Sequence, residues 1–125
     1  CNILASTIFI NENGTFVAKK LPNEAQISPT NAIQLFDWQN DGDLDILLVG
    51  NDYGQQVESG RLDAGSGLLL ENNGKANFIP IVARKSGFWA NREARDLKMV
   101  RSGAGKSMFL VANNNSTPQL FQLTR

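Results

Sequence analysis

The chain has 125 residues, of which 42% are hydrophobic, and its 12 basic side chains balance 12 acidic ones. This composition is typical of a globular chain of about one domain. A net charge of zero disfavours a nucleic-acid partner, because proteins of that kind usually present a basic surface. Purely apolar runs such as Ile46–Val49 are far shorter than the roughly 20 residues of a membrane-spanning helix, so we expect no transmembrane segment.

The residue types present exclude several kinds of chemistry within this chain. There is no histidine, and the single cysteine, Cys1, cannot form a disulfide with another cysteine of the same chain. Ser-His-Asp and Cys-His catalysis and zinc sites with imidazole ligands are therefore excluded. We expect a protein that is not an enzyme and has no catalytic residue in this chain.

The first residue is Cys1 rather than methionine, which leaves two interpretations open. The chain is cut from a longer protein, or Cys1 is the lipid-bearing residue of a processed bacterial lipoprotein and anchors it to a membrane. We favour the first, because strand-like apolar sequence follows at once without a polar tether.

Short apolar runs separated by Asn and Gly are typical of strands joined by tight turns, so the sequence predicts an all-β chain. In chain order, the predicted strands are Ser6–Asn11, Thr15–Lys20, Ala32–Trp38, Asp45–Asn51, Gly67–Glu71, Asn77–Val82, Ala94–Val100, Met108–Asn113 and Gln119–Leu123. Asn13 and Gly14 suit a type I′ turn, in which both central residues need positive φ. Asn73 and Gly74 predict a second hairpin of the same kind.

The two Asn-Gly turns also mark an internal repeat of about 60 residues. Residues 8–14 match residues 68–74, and residues 45–51 match residues 108–114 at nearly the same offset. Repeats of this length with four strands each predict the antiparallel four-stranded blades of a β-propeller. The chain holds about two blades' worth of strands in a partial propeller. The expected units are the end of one blade (1–31), a complete blade (32–82) and the start of a degenerate blade (83–125).

The segment from Asp37 to Asp45 has carboxylates at its positions 1, 5, 7 and 9, with Gly42 at position 6. Ca²⁺ takes six to eight oxygen ligands, and alternate residues of a short loop can direct oxygens at one centre. Four carboxylates this close repel one another unless a cation joins them. An EF-hand would need Glu at position 12, which is Leu48 here. The segment therefore predicts a calcium-bound turn between two antiparallel strands, with a solvated turn that holds no ion as the alternative.

The stretch from Phe36 to Asn51, an acidic loop that runs into an apolar strand and Gly-Asn, resembles the FG-GAP or VCBS repeats of integrin-alpha-like β-propellers. Residues 67–70 and 73–78 match later parts of that repeat. Residues 50–54 and 58–64 resemble bacterial VCBS proteins that often carry an ASPIC-type domain. The resemblance implies a calcium-stabilised propeller in an extracellular or cell-surface protein.

The resemblance also implies the metal ligands. Asp37, Asp41 and Asp45 would be side-chain ligands, and Asp43 would contribute a backbone carbonyl or a carboxylate oxygen. Gln39 departs from the family pattern, because a longer neutral side chain replaces the usual Asp or Asn and must reach the ion or leave its place to water. Fewer anionic ligands lower calcium affinity, so we expect a weaker site than is usual in the family.

The polar loop between residues 53 and 66 is longer than a hairpin requires, and long loops on rigid scaffolds often carry function. The residues expected to contact a ligand or partner are Tyr53, Glu58, Arg61 and Asp63. Charged residues of the next connector would join them, namely Arg92, Glu93, Arg95 and Asp96. The alternative is a salt-bridge network between blades that only orders the loop.

These observations and the resemblance together lead us to expect a non-catalytic calcium-binding module of a secreted or surface protein, which mediates adhesion by binding a protein or a carbohydrate. The alternative is a set of scaffold blades in a larger secreted enzyme whose active site lies outside this chain. Because open sheets leave unpaired edges, the expected neighbours are the rest of a parent propeller or a second copy of the chain.

Overall fold

The computed structural model describes residues 2–56, 58–103 and 105–123. Its strands are β1 (Thr7–Glu12), β2 (Thr15–Lys20), β3 (Thr30–Phe36), β4 (Asp45–Gly50), β5 (Leu68–Asn72), β6 (Phe78–Ile81), β7 (Ala94–Arg101), β8 (Ser107–Asn113) and β9 (Gln119–Phe121). All the predicted strands are confirmed, each within two residues of its expected ends. Two short helices were not predicted, a 3-10 helix at Asn23–Gln26 and α1 at Ala83–Ser86. The interpretation of Cys1 as a lipid-bearing residue lies outside the described residues.

The strands form three antiparallel sheets in chain order. The first is the β1-β2 hairpin, the second has the order β3-β4-β5-β6, and the third has the order β7-β8-β9. Each strand therefore pairs with its neighbour in sequence, and no sheet closes on itself within the described part of the chain. The all-β prediction is confirmed. Nowhere in the described residues is there a helix long and apolar enough to cross a membrane.

The first predicted turn has the expected geometry. Asn13 and Gly14 both have positive φ, 52° and 90°. The Asn11 side chain accepts a hydrogen bond from Gly14 N at 2.8 Å. This two-residue turn keeps β1 and β2 in register from Glu12–Thr15 to Thr7–Lys20.

The second predicted turn is wrong in type, because residues 73–77 form a five-residue loop between β5 and β6. The side-chain oxygen of Asn73 accepts hydrogen bonds from Lys75 N and Asn77 N, and Ala76 takes a φ of 52°. Asn73 thus organises the loop through its side chain, which competes with the backbone pattern of a tight turn.

Strand β4 is buried along its whole length and lies at the centre of the molecule. Leu47 and Val49 belong to a cluster that continues into the third sheet. Ile46 and Leu48, which point the other way, pack in a second cluster with Leu21 after β2. The four-stranded sheet therefore lies between the first hairpin and the third sheet. Such two-sided burial explains why β4 is a continuous apolar run rather than an alternating one.

Aromatic rings fill the contact between the second and third sheets. Phe36 of β3 meets Phe109 of β8 with ring centroids 4.6 Å apart. Phe88, which is 1% exposed, meets Phe121 of β9 at 4.8 Å in an edge-on arrangement. Trp38 is buried in the same cluster. Packed rings of this kind hold the two sheets face to face.

Replacement of a β4 core residue tests how much the double burial contributes to stability. Leu47 is fully buried, so Leu47→Ala should lower the free energy of unfolding by roughly 3 kcal/mol through lost burial and the cavity left behind. Urea denaturation measures this change. Leu44→Ala is the matched control, because Leu44 is 54% exposed and its truncation should cost less than about 0.5 kcal/mol. Equal losses in the two variants would contradict the central role of β4.

Candidate functional site

The acidic loop (residues 37–45) connects β3 to β4, and the side chain of Asp37 closes it. Its Oδ1 accepts hydrogen bonds from Asn40 N at 2.6 Å and Asp41 N at 3.2 Å, and its Oδ2 accepts one from Gly42 N at 3.0 Å. Asn40 and Gly42 have positive φ, 61° and 93°. Because Asn and Gly tolerate this region, the sequence can fold tightly around a carboxylate at its first position.

Asp45 occupies the other end of the loop and is completely buried. Its Oδ2 accepts a hydrogen bond from Trp38 N at 2.7 Å, and its Oδ1 accepts one from Asn72 N at 2.8 Å. One side chain therefore joins the two ends of the acidic loop and connects them to the last residue of β5. Hydrogen bonds from N–H groups to an ionised acceptor are the kind that offsets the cost of burying a charge.

The remaining loop residues lie nearer to the solvent. Asp41 is exposed, and its Oδ1 accepts a hydrogen bond from Asp43 N at 3.0 Å. Asp43 is partly buried against Gly74, where an added Cβ would come within 2.6 Å of Asp43 Oδ2. Gly74 therefore allows the loop after β5 to approach the acidic loop. Gln39 is exposed.

The atoms of the acidic loop that could bind Ca²⁺ are of a suitable type, since all are oxygens. Asp37 already accepts three hydrogen bonds of the about four that a carboxylate can accept. Asn72 adds a neutral oxygen beside the loop: its Nδ2 donates to Leu44 O, and its buried Oδ1 has no donor in the described structure. However, among the described residues no three His, Cys, Asp or Glu side chains form a group that could hold a metal. The loop therefore fits the ion in chemistry, and its carboxylates would have to converge to bind it.

The opposite end of β4 is organised by Asn51, which is 1% exposed and has a φ of 76°. Its side chain accepts a hydrogen bond from Gly65 N at 2.9 Å and donates to Gly65 O at 2.7 Å and Arg92 O at 3.2 Å. Gly50, just before it, lies so close to Pro29 O that a Cβ would overlap that oxygen. Gly50 and Asn51 thus hold in place both the polar loop and the connector to β7, which is residues 87–93.

The structure brings two of the four predicted polar-loop residues together. The guanidinium of Arg61 lies over the ring of Tyr53, 5.1 Å from its centroid. The hydroxyl of Tyr53 donates to Asn91 O at 3.2 Å, so the loop contacts the connector as expected. A polar cavity lies beside Tyr53 and Arg61. Glu58 and Asp63 are exposed and do not line it.

Glu93 is the buried carboxylate of the connector and is 4% exposed. It accepts hydrogen bonds from Tyr53 N at 3.2 Å and Asn114 Nδ2 at 2.9 Å, and it pairs with Arg95, which also lies 3.8 Å from Asp52. The bond from Asn114 is the largest cause that holds the pKa of Glu93 below its usual range. Tyr53 N and Arg95 act in the same direction, whereas burial and Asp52 oppose them. For Asp52, a hydrogen bond from the N–H of residue 54 is the largest of the causes that lower the pKa.

Sequence reasoning did not identify the asparagines that hold these regions. Asn51, Asn72 and Asn114 each hydrogen-bond a segment distant in sequence. The available signal was weak: an Asn at the end of an apolar strand, where positive φ and side-chain hydrogen bonds to the backbone are common. No protein-family model, curated protein or solved structure matches the chain.

Asp45→Asn should destabilise the fold whether or not calcium is present. The amide keeps one acceptor oxygen but places an NH₂ group against a backbone N–H, so the free energy of unfolding should fall by roughly 2–3 kcal/mol. Urea denaturation in calcium and in EGTA measures it. Asp63→Asn, at an exposed aspartate, is the control. A loss confined to the calcium sample would contradict this role and make Asp45 a metal ligand first.

The lowered pKa of Glu93 predicts a dependence of stability on pH. A carboxyl group with a lower pKa in the folded state stabilises fully above its ordinary pKa, about 4.5, and this contribution is lost as the pH falls through the folded value. Glu93→Gln should therefore flatten the decline of the melting temperature between neutral and strongly acidic pH. Glu12→Gln, at an exposed glutamate of β1, serves as the control. An unchanged profile in Glu93→Gln would contradict the assignment.

Proposed function

We propose that this chain is a non-catalytic, calcium-binding β-propeller module of the FG-GAP/VCBS kind, which serves a secreted or surface protein by binding a protein or a carbohydrate. The observation that carries the proposal is the acidic loop: an oxygen-rich turn between β3 and β4, closed by Asp37 and joined to β5 by Asp45. The loop runs directly into a doubly buried strand, as the repeat pattern requires.

The arrangement of the sheets supports the propeller part of the proposal. Propellers are built from four-stranded antiparallel sheets. Here β3–β6 form a four-stranded meander that contacts the preceding hairpin on one face and the following sheet on the other. In this proposal, residues 32–82 are a complete blade, residues 1–31 end the blade before it and residues 83–125 begin the next.

Exposed apolar side chains indicate where further sheets would pack. Ile33 and Leu35 are 58% and 49% exposed on the face of β3 beside the first hairpin. On the third sheet, Leu110 and Leu120 face each other across β8 and β9 and are 39% and 54% exposed. We expect these faces to be covered by the rest of a parent propeller or by a second copy of the chain, because apolar patches of this kind mark interaction sites.

Asp37, Asp41 and Asp43 would hold the calcium ion, with Gln39 or water completing the shell. A bound ion would neutralise carboxylates that repel one another, and it would fix the β3–β4 turn. Asp45 would support the loop mainly through its hydrogen bonds to the backbone. Since one of the expected anionic ligands is a neutral Gln, millimolar calcium, as found outside cells, suits such a site.

Calcium titration by calorimetry, with melting curves in calcium and in EGTA, tests the proposal. We expect saturable binding to one site per chain and a higher melting temperature in calcium, because a ligand that binds only the folded state stabilises it. Asp41→Asn should abolish this gain and leave the EGTA curve nearly unchanged, since Asp41 is exposed and accepts one hydrogen bond. Absence of binding at millimolar calcium would contradict the proposal.

Gln39→Asp provides the opposite variant. It restores an anionic ligand at position 3, so calcium affinity should rise, by roughly tenfold, if the ion sits in the acidic loop. Asp96→Asn, which removes an exposed aspartate on β7, should leave calcium binding unchanged. If Gln39→Asp does not alter the affinity of a protein that binds calcium, the ion binds elsewhere.

A further inference from the structure

A polar cavity of about 540 Å³ lies between the polar loop and the turn after β8. Tyr53 and Arg61 line it from the loop, Arg92 and Glu93 from the connector, and Asn114 to Ser116 from the turn. Its volume is within the range of roughly 300–1,000 Å³ typical of small-molecule sites. Apart from the ring of Tyr53, the lining has no large apolar side chain, so the cavity suits a polar ligand.

The two arginines that line this cavity have no acidic partner among the described residues. Arg95 forms the salt bridges to Glu93 and Asp52, whereas neither Arg61 nor Arg92 forms one with any described carboxylate. The hydrogen bonds from Asn114 and Tyr53 N use both oxygens of Glu93, which is almost fully buried. The cavity therefore presents positive charge, because Arg61, Arg92 and Arg95 against Glu93 and Asp52 leave a net charge of +1.

Arg92 is held in place before any ligand arrives. Its Nη1 donates to Ser116 Oγ at 3.1 Å, Thr117 O at 3.0 Å and Thr117 Oγ1 at 2.6 Å. All three bonds involve Nη1, and within the described residues Nε and Nη2 have no protein acceptor. These two N–H groups form the planar fork that recognises a carboxylate through two parallel hydrogen bonds.

Tyr53 is fixed in the same way. Its backbone N–H donates to Glu93 and its hydroxyl donates to Asn91 O, so both the backbone and the ring of Tyr53 are held in position. Arg61 lies over this ring, which positions its guanidinium at the cavity. Groups ordered in advance lose less entropy on binding.

We propose that this cavity binds a carbohydrate that carries a carboxylate, a uronate sugar, with the carboxylate against Arg92 and Arg61. The amides of Asn114 and Asn115 and the hydroxyl of Ser116 provide the donors and acceptors that sugar hydroxyls need. A sugar fits better than an acidic peptide, because the lining lacks the apolar pocket that would anchor a peptide side chain.

The inference rests on the proposed role as a binding module, but it is independent of calcium. Consecutive connections of a meander lie at alternate ends of the sheet, so the acidic loop and the polar loop are at opposite ends of the second sheet. No residue of the acidic loop lines the cavity. Failure of calcium binding and failure of sugar binding can therefore be separated.

Titration of the whole chain with digalacturonate tests the inference, with calorimetry in EGTA as the measurement so that calcium cannot bridge the sugar to the protein. The methyl ester of digalacturonate is the ligand control, because it has the same rings without the charge. We expect the acid to bind and the ester to bind at least tenfold more weakly. Binding of the acid should also weaken at high salt.

Single substitutions test whether digalacturonate binds at this cavity. Arg61→Gln should weaken digalacturonate binding at least tenfold without changing the melting temperature in EGTA, because Arg61 is exposed. Arg92→Lys should also weaken it, since it keeps the charge and removes the fork. Arg84→Gln, on α1 and away from the cavity, is the control and should bind normally.

Any of four results would overturn the inference. The first is equal binding of the acid and its ester, and the second is no binding of the acid at millimolar concentration. The third is binding of a blocked Gly-Asp-Gly peptide in place of the sugar, which would assign the cavity to a protein partner. Unaltered digalacturonate binding in both Arg61→Gln and Arg92→Lys would also exclude this cavity as the site.

Discussion

The burial of β4 on both faces is the constraint on which the rest of the structure depends. Its side chains alternate between the cluster shared with the third sheet and the cluster beneath the first hairpin. A strand packed in this way cannot slip by one residue, because a slip would exchange the two faces and separate both clusters from their partners. The fixed register then determines where the acidic loop enters the sheet and where the polar loop leaves it.

Each end of β4 is completed by a buried polar residue. Asp45 at the start and Asn51 just after the end are 0% and 1% exposed, and both form hydrogen bonds to the backbone of other segments. These bonds reach Asn72 in one direction and Arg92 in the other, across 27 and 41 residues of chain. The loops at the two ends are therefore attached to the core of the molecule by hydrogen bonds from buried side chains.

The two ends differ in charge and in the degree to which their side chains are positioned. The acidic loop concentrates carboxylates whose outer members, Asp41 and Asp43, remain partly or fully exposed. At the polar loop, Arg95 pairs with Glu93 and Asp52, and Arg61 and Arg92 are left to face the cavity. One end thus attracts cations and the other attracts anions, although the chain as a whole has no net charge.

The sequence by itself determined the strands and the first hairpin, because alternation, apolar runs and the Asn13-Gly14 pair act over a few residues. It also indicated the acidic loop, since the spacing of the carboxylates is a local property. Only the tertiary structure decided that Asp45 bonds to β5, that Asn73 organises a five-residue loop, and that Glu58 and Asp63 lie outside the cavity that Tyr53 lines. These outcomes depend on which sheets pack together. Contacts between side chains that are tens of residues apart in sequence produce no periodic pattern from which they could be predicted.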